Sequence, residues 1–112
     1  MTLAQLVSIT RGILEEDGLA EYLPATFFPD RQEFRLLEGI PPDVDHPCAL
    51  IETLERQGAF GSDFLFGVRN GPDTVLLGAF SGGKSTFVEL VEGHDGFVER
   101  PASRPPWWPH FA

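Results

Sequence analysis

Cysteine is almost missing from this chain: Cys48 stands alone, so no internal disulfide can staple the fold. Lysine is as scarce, with Lys84 the single one and every other base an arginine. The 8 basic residues face 17 acidic ones, for a formal charge of −9. That surplus opposes nucleic acid and anionic membrane surfaces, and suits a basic protein partner. No apolar run approaches the roughly 18 residues needed to span a bilayer. The opening MTLAQLVSITRG has neither the basic region nor the long apolar segment of a secretory leader, which makes the cytoplasm the expected compartment. No internal repeat is visible.

What is present suits one folded domain. The chain has 112 residues, 42% of them apolar, with 10 phenylalanines. That is enough to build a core and excludes a disordered acidic chain. The stretch 64–92 organises the rest. Residues 64–69, 74–80 and 85–92 alternate as strands, separated by Asn70-Gly-Pro-Asp73 and Ser81-Gly-Gly-Lys84, both rich in turn residues. Connections this short force antiparallel pairing, because parallel strands need a crossover of a dozen residues or more. The second strand is apolar on both faces: Val75, Leu77 and Ala79 on one, Leu76, Gly78 and Phe80 on the other. It belongs at the centre of the sheet.

The same letters admit another reading. Gly78-Ala-Phe-Ser-Gly-Gly-Lys-Ser85 fits the phosphate-loop pattern, and GAFSGGKST resembles the Walker A loop of several ATPase and GTPase families. The resemblance implies that Gly78 and Gly83 curl the backbone around a phosphate, Lys84 reaches the phosphate oxygens and Ser85 holds magnesium. Three features weigh against it. Only residues 86–112 follow, with four prolines among them. The helix that must open after the loop would carry Phe87, Val88 and Val91, all poor helix formers. The strand before it is reached by a tight turn from another strand. The meander is therefore preferred, and nucleotide binding is kept as the alternative.

Leu3, Leu6, Val7, Thr10, Ile13 and Leu14 form a helical stripe over residues 3–16, with Thr2 and Gln5 as a capping box and Asp17-Gly18 as the stop. Gly12 interrupts the helix at a cost of about 1 kcal/mol. AEYLPATFFP, residues 20–29, reads as irregular or briefly extended, and a surface-lying Phe27-Phe28 pair would mark an interface. Residues 33–38 read as an edge strand with one wet face. A second helix spans 46–57, capped by Asp45, with Ala49, Leu50, Ile51 and Leu54 inward. Residues 1–60 hold 11 acids and 4 bases, against 6 and 4 in residues 61–112, so the acidity sits mainly in the helical half.

Candidate chemistry elsewhere is thin. His46 and Cys48 are two apart at a helix start, a spacing that does not bring them face to face, and no second ligand pair accompanies them. His94 and Asp95 are adjacent in a turn sequence. Asp43 and Asp45 read as a loop acid and a helix cap. Residues 97–99 suggest a last short strand. The tail RPASRPPWWPHFA is too proline-rich for regular structure, while Trp107, Trp108 and Phe111 must either pin it to the domain or engage another chain.

Together these readings specify an α+β domain over residues 1–99, with two helices packed on one face of a small antiparallel sheet containing the meander Phe64–Glu92, and a Pro/Trp-rich tail over 100–112. The expected function is that of a small acidic protein-interaction domain, resembling an inhibitor, immunity protein or chaperone in kind. It has no evident catalytic centre, metal site or cofactor. Phe27, Phe28, Trp107, Trp108 and Phe111 are its candidate contacts to a basic protein or to a second copy. The alternatives are a phosphate-binding module through Gly78, Gly83, Lys84 and Ser85, or a small-molecule site in a Phe-lined pocket.

Overall fold

The computed structural model describes residues 1–37 and 47–109, with backbone alone for Pro47 and Cys48. Asp43, Asp45, His46 and Phe111 therefore lie outside the described residues, as do the side chain of Cys48 and the start of the second helix. The protein is an α+β fold. Helix α1 (Leu3–Asp17) is followed by strands β1 (Ala25–Phe28) and β2 (Glu33–Leu36), helix α2 (Pro47–Arg56), and strands β3 (Phe64–Arg69), β4 (Thr74–Ser81), β5 (Lys84–Gly93) and β6 (Gly96–Ala102). The six strands form one sheet in the order β2-β1-β3-β4-β5-β6, and every adjacent pair is antiparallel.

The expected meander is β3-β4-β5, with each strand within a residue of its anticipated bounds. Both turns follow from glycine. Gly71 takes φ 101° in the first, where the Asn70 amide donates to the Thr74 carbonyl at 2.9 Å. Gly82 and Gly83 take φ 59° and 79° in the second, the left-handed pair that a two-residue hairpin with right-handed strand twist requires. Two elements are more definite than the sequence pattern alone made them. The segment read as irregular or briefly extended contributes β1, which pairs with both β2 and β3. The last strand runs for 7 residues through Ala102, past the anticipated domain boundary.

The packing corrects one expectation: the helices do not share a face. On α1, Val7 and Leu14 cluster with Val75, Leu77 and Leu90. On α2, Leu50 and Leu54 cluster with Phe66, Leu76, Phe80 and Phe87. Val75 and Leu77 alternate with Leu76 along one strand, so the two clusters lie on opposite sides. The cause is the two-faced apolar character of β4, which one layer of helices would leave half wet.

Trp108 completes the α2 side. It is 1% exposed, stacks on Phe66 at 5.1 Å and 10°, and donates its indole N–H to Ser85 Oγ at 2.9 Å. Residues 100–109 are thus part of the domain: β6 takes the first three, and the Trp anchors the rest. Two glycines allow the layers to approach. A Cβ on Gly78 would collide with the Phe66 ring, and one on Gly67 with the Tyr22 hydroxyl and Leu77. Gly12 contrasts with both, since a Cβ there meets nothing within 4 Å. Gly78→Ala should therefore cost about 1–3 kcal/mol by overpacking, whereas Gly12→Ala should gain up to about 1 kcal/mol of helix propensity. Urea unfolding of the two variants beside the wild type measures both signs at once.

Candidate functional site

The Walker-like residues fall on a hairpin. Gly78 is buried inside β4, Gly83 is the second turn residue, and Lys84 and Ser85 open β5 opposite Ser81 and Phe80. A strand, not a helix, follows the turn. The turn's own polar groups point to an acid: Asp63 accepts from Ser81 Oγ at 3.1 Å and from the Gly82 amide at 3.4 Å. Ser85 Oγ holds the Trp108 indole, and Lys84 is exposed. Gly78 and Lys84 stand at opposite ends of the strand–turn segment, so the four residues do not converge.

Of the candidate contact residues, Phe28 and Trp108 are core side chains, at 0% and 1% exposure. Phe28 packs with Phe64 beneath α2, and the Arg31 guanidinium lies 4.1 Å from its ring centroid. Strand alternation separates Phe28 from Phe27: the first turns into the α2 core, and the second points to the α1 side, half-buried. Trp107 is half-buried against the same cluster as Trp108. His94 and Asp95 form the exposed tip of the β5–β6 hairpin. Among the described residues, no group of three or more His, Cys, Asp or Glu gathers to hold a metal.

What does gather is apolar. Helix α1 rests on β4, β5 and β6. A helix is about 10 Å across, while six strands span roughly 24 Å. Among the described residues the cover thins from β3 outward: Leu65 and Gly67 of β3 are buried, the latter under Tyr22, Phe27 of β1 is half-buried, and Phe34 and Leu36 of β2 are exposed. Gathered along this margin are Ile9 and Ile13 from the flank of α1, Leu23 before β1, Phe27 from β1, and Phe34 and Leu36 from β2. Leu23 and Phe34 are 57% and 61% exposed, and Ile9, Ile13 and Leu36 are exposed as well. Between helix and strands lies an apolar cavity of about 80 Å³ lined by Ile9, Ile13, Tyr22, Leu23, Phe27 and Phe34 among others. That volume suits a single aliphatic side chain, being about half of an engineered cavity that holds benzene.

The rim of this trough is acidic at one end. One turn beyond Ile13 come Glu16 and Asp17, both exposed, followed by exposed Glu21. No base stands in the last turn of α1. The helix C-terminus adds its own partial negative charge there. Across the sheet an open hollow of about 520 Å³ is lined by Arg35, Leu36, Thr53, Arg56 and Gln57. Its polar groups are largely spoken for: Arg56 donates to Thr53 Oγ1 at 3.1 Å, Thr26 Oγ1 to Gln57 Oε1 at 2.9 Å, and Arg35 to Glu33. The apolar trough is the stronger candidate because its exposed side chains are apolar and face solvent. Sequence reasoning placed Ile13 in the core stripe and left Leu23 and Phe34 unmarked as contacts. The signal was the position of α1 over one half of the sheet, which no local pattern carries.

No family model, curated protein or solved structure matches the chain.

Two measurements test these assignments. Lys84→Ala removes an exposed hairpin side chain and should change stability by no more than about 0.5 kcal/mol in chemical denaturation. Tyr22, the single tyrosine, is buried, and desolvation holds its phenol well above the usual value near ~10. The native state keeps it neutral while the unfolded chain ionises. Its effect on stability is thus absent below about pH 10 and turns unfavourable as pH rises beyond that. Phenolate absorbance should appear only with unfolding in an alkaline titration, and Tyr22→Phe should lessen the loss of stability at high pH.

Proposed function

We propose that the protein is a small acidic protein-interaction domain, and that the trough between α1 and the β2-β1-β3 half of the sheet is its binding surface. The observation that carries this reading is the set of exposed apolar side chains Ile9, Ile13, Leu23 and Phe34 lining one apolar cavity, with exposed Leu36 two residues along β2 from Phe34. Such patches mark interaction sites, whereas singly scattered apolar residues do not. The partner it fits is an amphipathic segment, helical by preference, that lays its apolar face along α1 and the exposed side chains of β2. One aliphatic side chain of that segment enters the cavity as an anchor. Basic residues at one end of it meet Glu16, Asp17 and Glu21. The action is that of an inhibitor, immunity protein or chaperone, which works by occupying a partner rather than by transforming a substrate.

The test uses immobilised wild-type protein, Phe34→Glu and Lys84→Ala exposed to extract from the source cells. A specific partner should be retained by the wild type and by Lys84→Ala, and released as salt rises. Phe34→Glu should weaken retention by about tenfold or more, the scale of losing one central apolar contact. Equal retention on all three proteins, or none on any, would sink the reading.

A further inference from the structure

The trough ends at an edge strand, and that edge is complementary to itself. Among the described residues nothing pairs with the outer side of β2. The hydrogen-bond phase of β2 follows from its last bond to β1. The Leu37 amide donates to the Pro24 carbonyl at 2.8 Å, so the pair 24/37 is a hydrogen-bonded one. The register Thr26↔Arg35 and Phe28↔Glu33 makes those pairs hydrogen-bonded too. Glu33, Arg35 and Leu37 thus direct their backbone groups inward to β1, while Phe34 and Leu36 direct theirs outward. Side chains alternate in the same way: Glu33 and Arg35 stand on the α2 side, Phe34 and Leu36 on the α1 side.

We propose that this edge pairs with a second copy of the chain, β2 against β2 and antiparallel, about a two-fold axis through Phe34. The proposal shares with the preceding section only the reading of this face as an interaction surface, and it names a second copy as the occupant of its edge. In this register the Phe34 amide and carbonyl of each copy bond reciprocally across the axis, and the two Phe34 rings meet on the α1 side. Glu33 of each copy stands opposite Arg35 of the other as a close, non-hydrogen-bonded pair. The register is specified by charge. Sliding two residues one way sets Arg35 against Arg35, and two residues the other way sets Glu33 against Glu33. A slip by one residue would put the side chains on the wrong faces.

The opposite edge cannot do this. Strand β6 carries Pro101, which lacks an N–H for a ladder. Its charged residues Glu99 and Arg100 point to opposite faces, and they pair inward with Arg11 at 3.5 Å and Glu89 at 3.7 Å. Pairing at β2 yields a continuous twelve-stranded sheet in which the exposed apolar side chains of the two β2 strands adjoin, with one α1 at each outer side.

Sedimentation velocity of the whole chain between about 1 μM and about 1 mM tests this. The wild type should pass from monomer to dimer within that range. Arg35→Glu makes the edge acidic throughout, Glu33→Arg makes it basic throughout, and each variant alone should dimerise about tenfold or more weakly. An equimolar mixture of the two should form a heterodimer, because each acidic edge then faces a basic one. The double variant Glu33→Arg/Arg35→Glu should dimerise like the wild type. Far-UV circular dichroism confirms that each variant is folded, and Val98→Glu on β6 should leave association unchanged. A wild type that stays monomeric throughout, or a dimer indifferent to both single variants, overturns the proposal. The two readings fail separately: a monomer that still retains a Phe34-dependent partner sinks the edge pairing alone. A dimer that obeys the charge rule but retains no partner sinks the other reading alone.

Discussion

The structure depends on β4 being dry on both sides. Val75, Leu76 and Leu77 are consecutive and all essentially inaccessible, which requires a covering layer above and below the sheet. The described residues include two α-helices, and each face receives one. On the α2 side the deficit is made up by aromatic bulk: Phe60, Phe64, Phe66, Phe80, Phe87 and Trp108 contact one another edge-on and face-on. The indole of Trp108 substitutes there for a second helix. On the α1 side the described residues offer no equivalent, and the sheet beyond β3 is left with its apolar residues uncovered. The candidate binding surface is thus a consequence of how two helices are divided over six strands.

Much of this was legible in the residues. Alternation over 64–92 and the glycine-rich turns specified the meander, because a two-residue turn leaves antiparallel pairing as the single outcome. The capping box of α1 forms both of its bonds, Gln5 amide to Thr2 Oγ1 at 3.2 Å and Thr2 amide to Gln5 Oε1 at 2.7 Å. Other features were not local. Strand β1 is only 4 residues long and sits between prolines, so its strand character comes from the partners on either side. The two-faced β4 pointed to a central strand, yet the sequence pattern put both helices on one face, because which helix covers which face is decided by long-range packing. The fate of Ile13 shows the limit most clearly: it fits the helical stripe, and its angular offset from Val7 and Leu14 turns it to the flank.

The Walker-like letters show how composition can imitate chemistry. Gly-Gly-Lys-Ser serves a phosphate loop because glycines reach positive φ and amides converge on an anion. The same freedom at Gly82 and Gly83 builds a hairpin here, and the nearest anion is the chain's own Asp63. A carboxylate bonded to the turn amide occupies the donors that an incoming phosphate would need, and like charge opposes its approach.

The edge strand β2 carries the same economy. Charged residues on an exposed edge deter indiscriminate strand pairing, since most incoming strands leave them unmatched. Glu33 and Arg35 do this while already bonded to each other along the strand. Their order, acid then apolar then base, is also its own complement when reversed. In the proposed pairing, an arrangement that rejects a generic strand, and rejects its own copy when slid by two residues, would accept that copy in a single register. Specificity of this kind comes from the penalties on the wrong pairings more than from the strength of the right one, because an exposed ion pair contributes only about 0–1 kcal/mol.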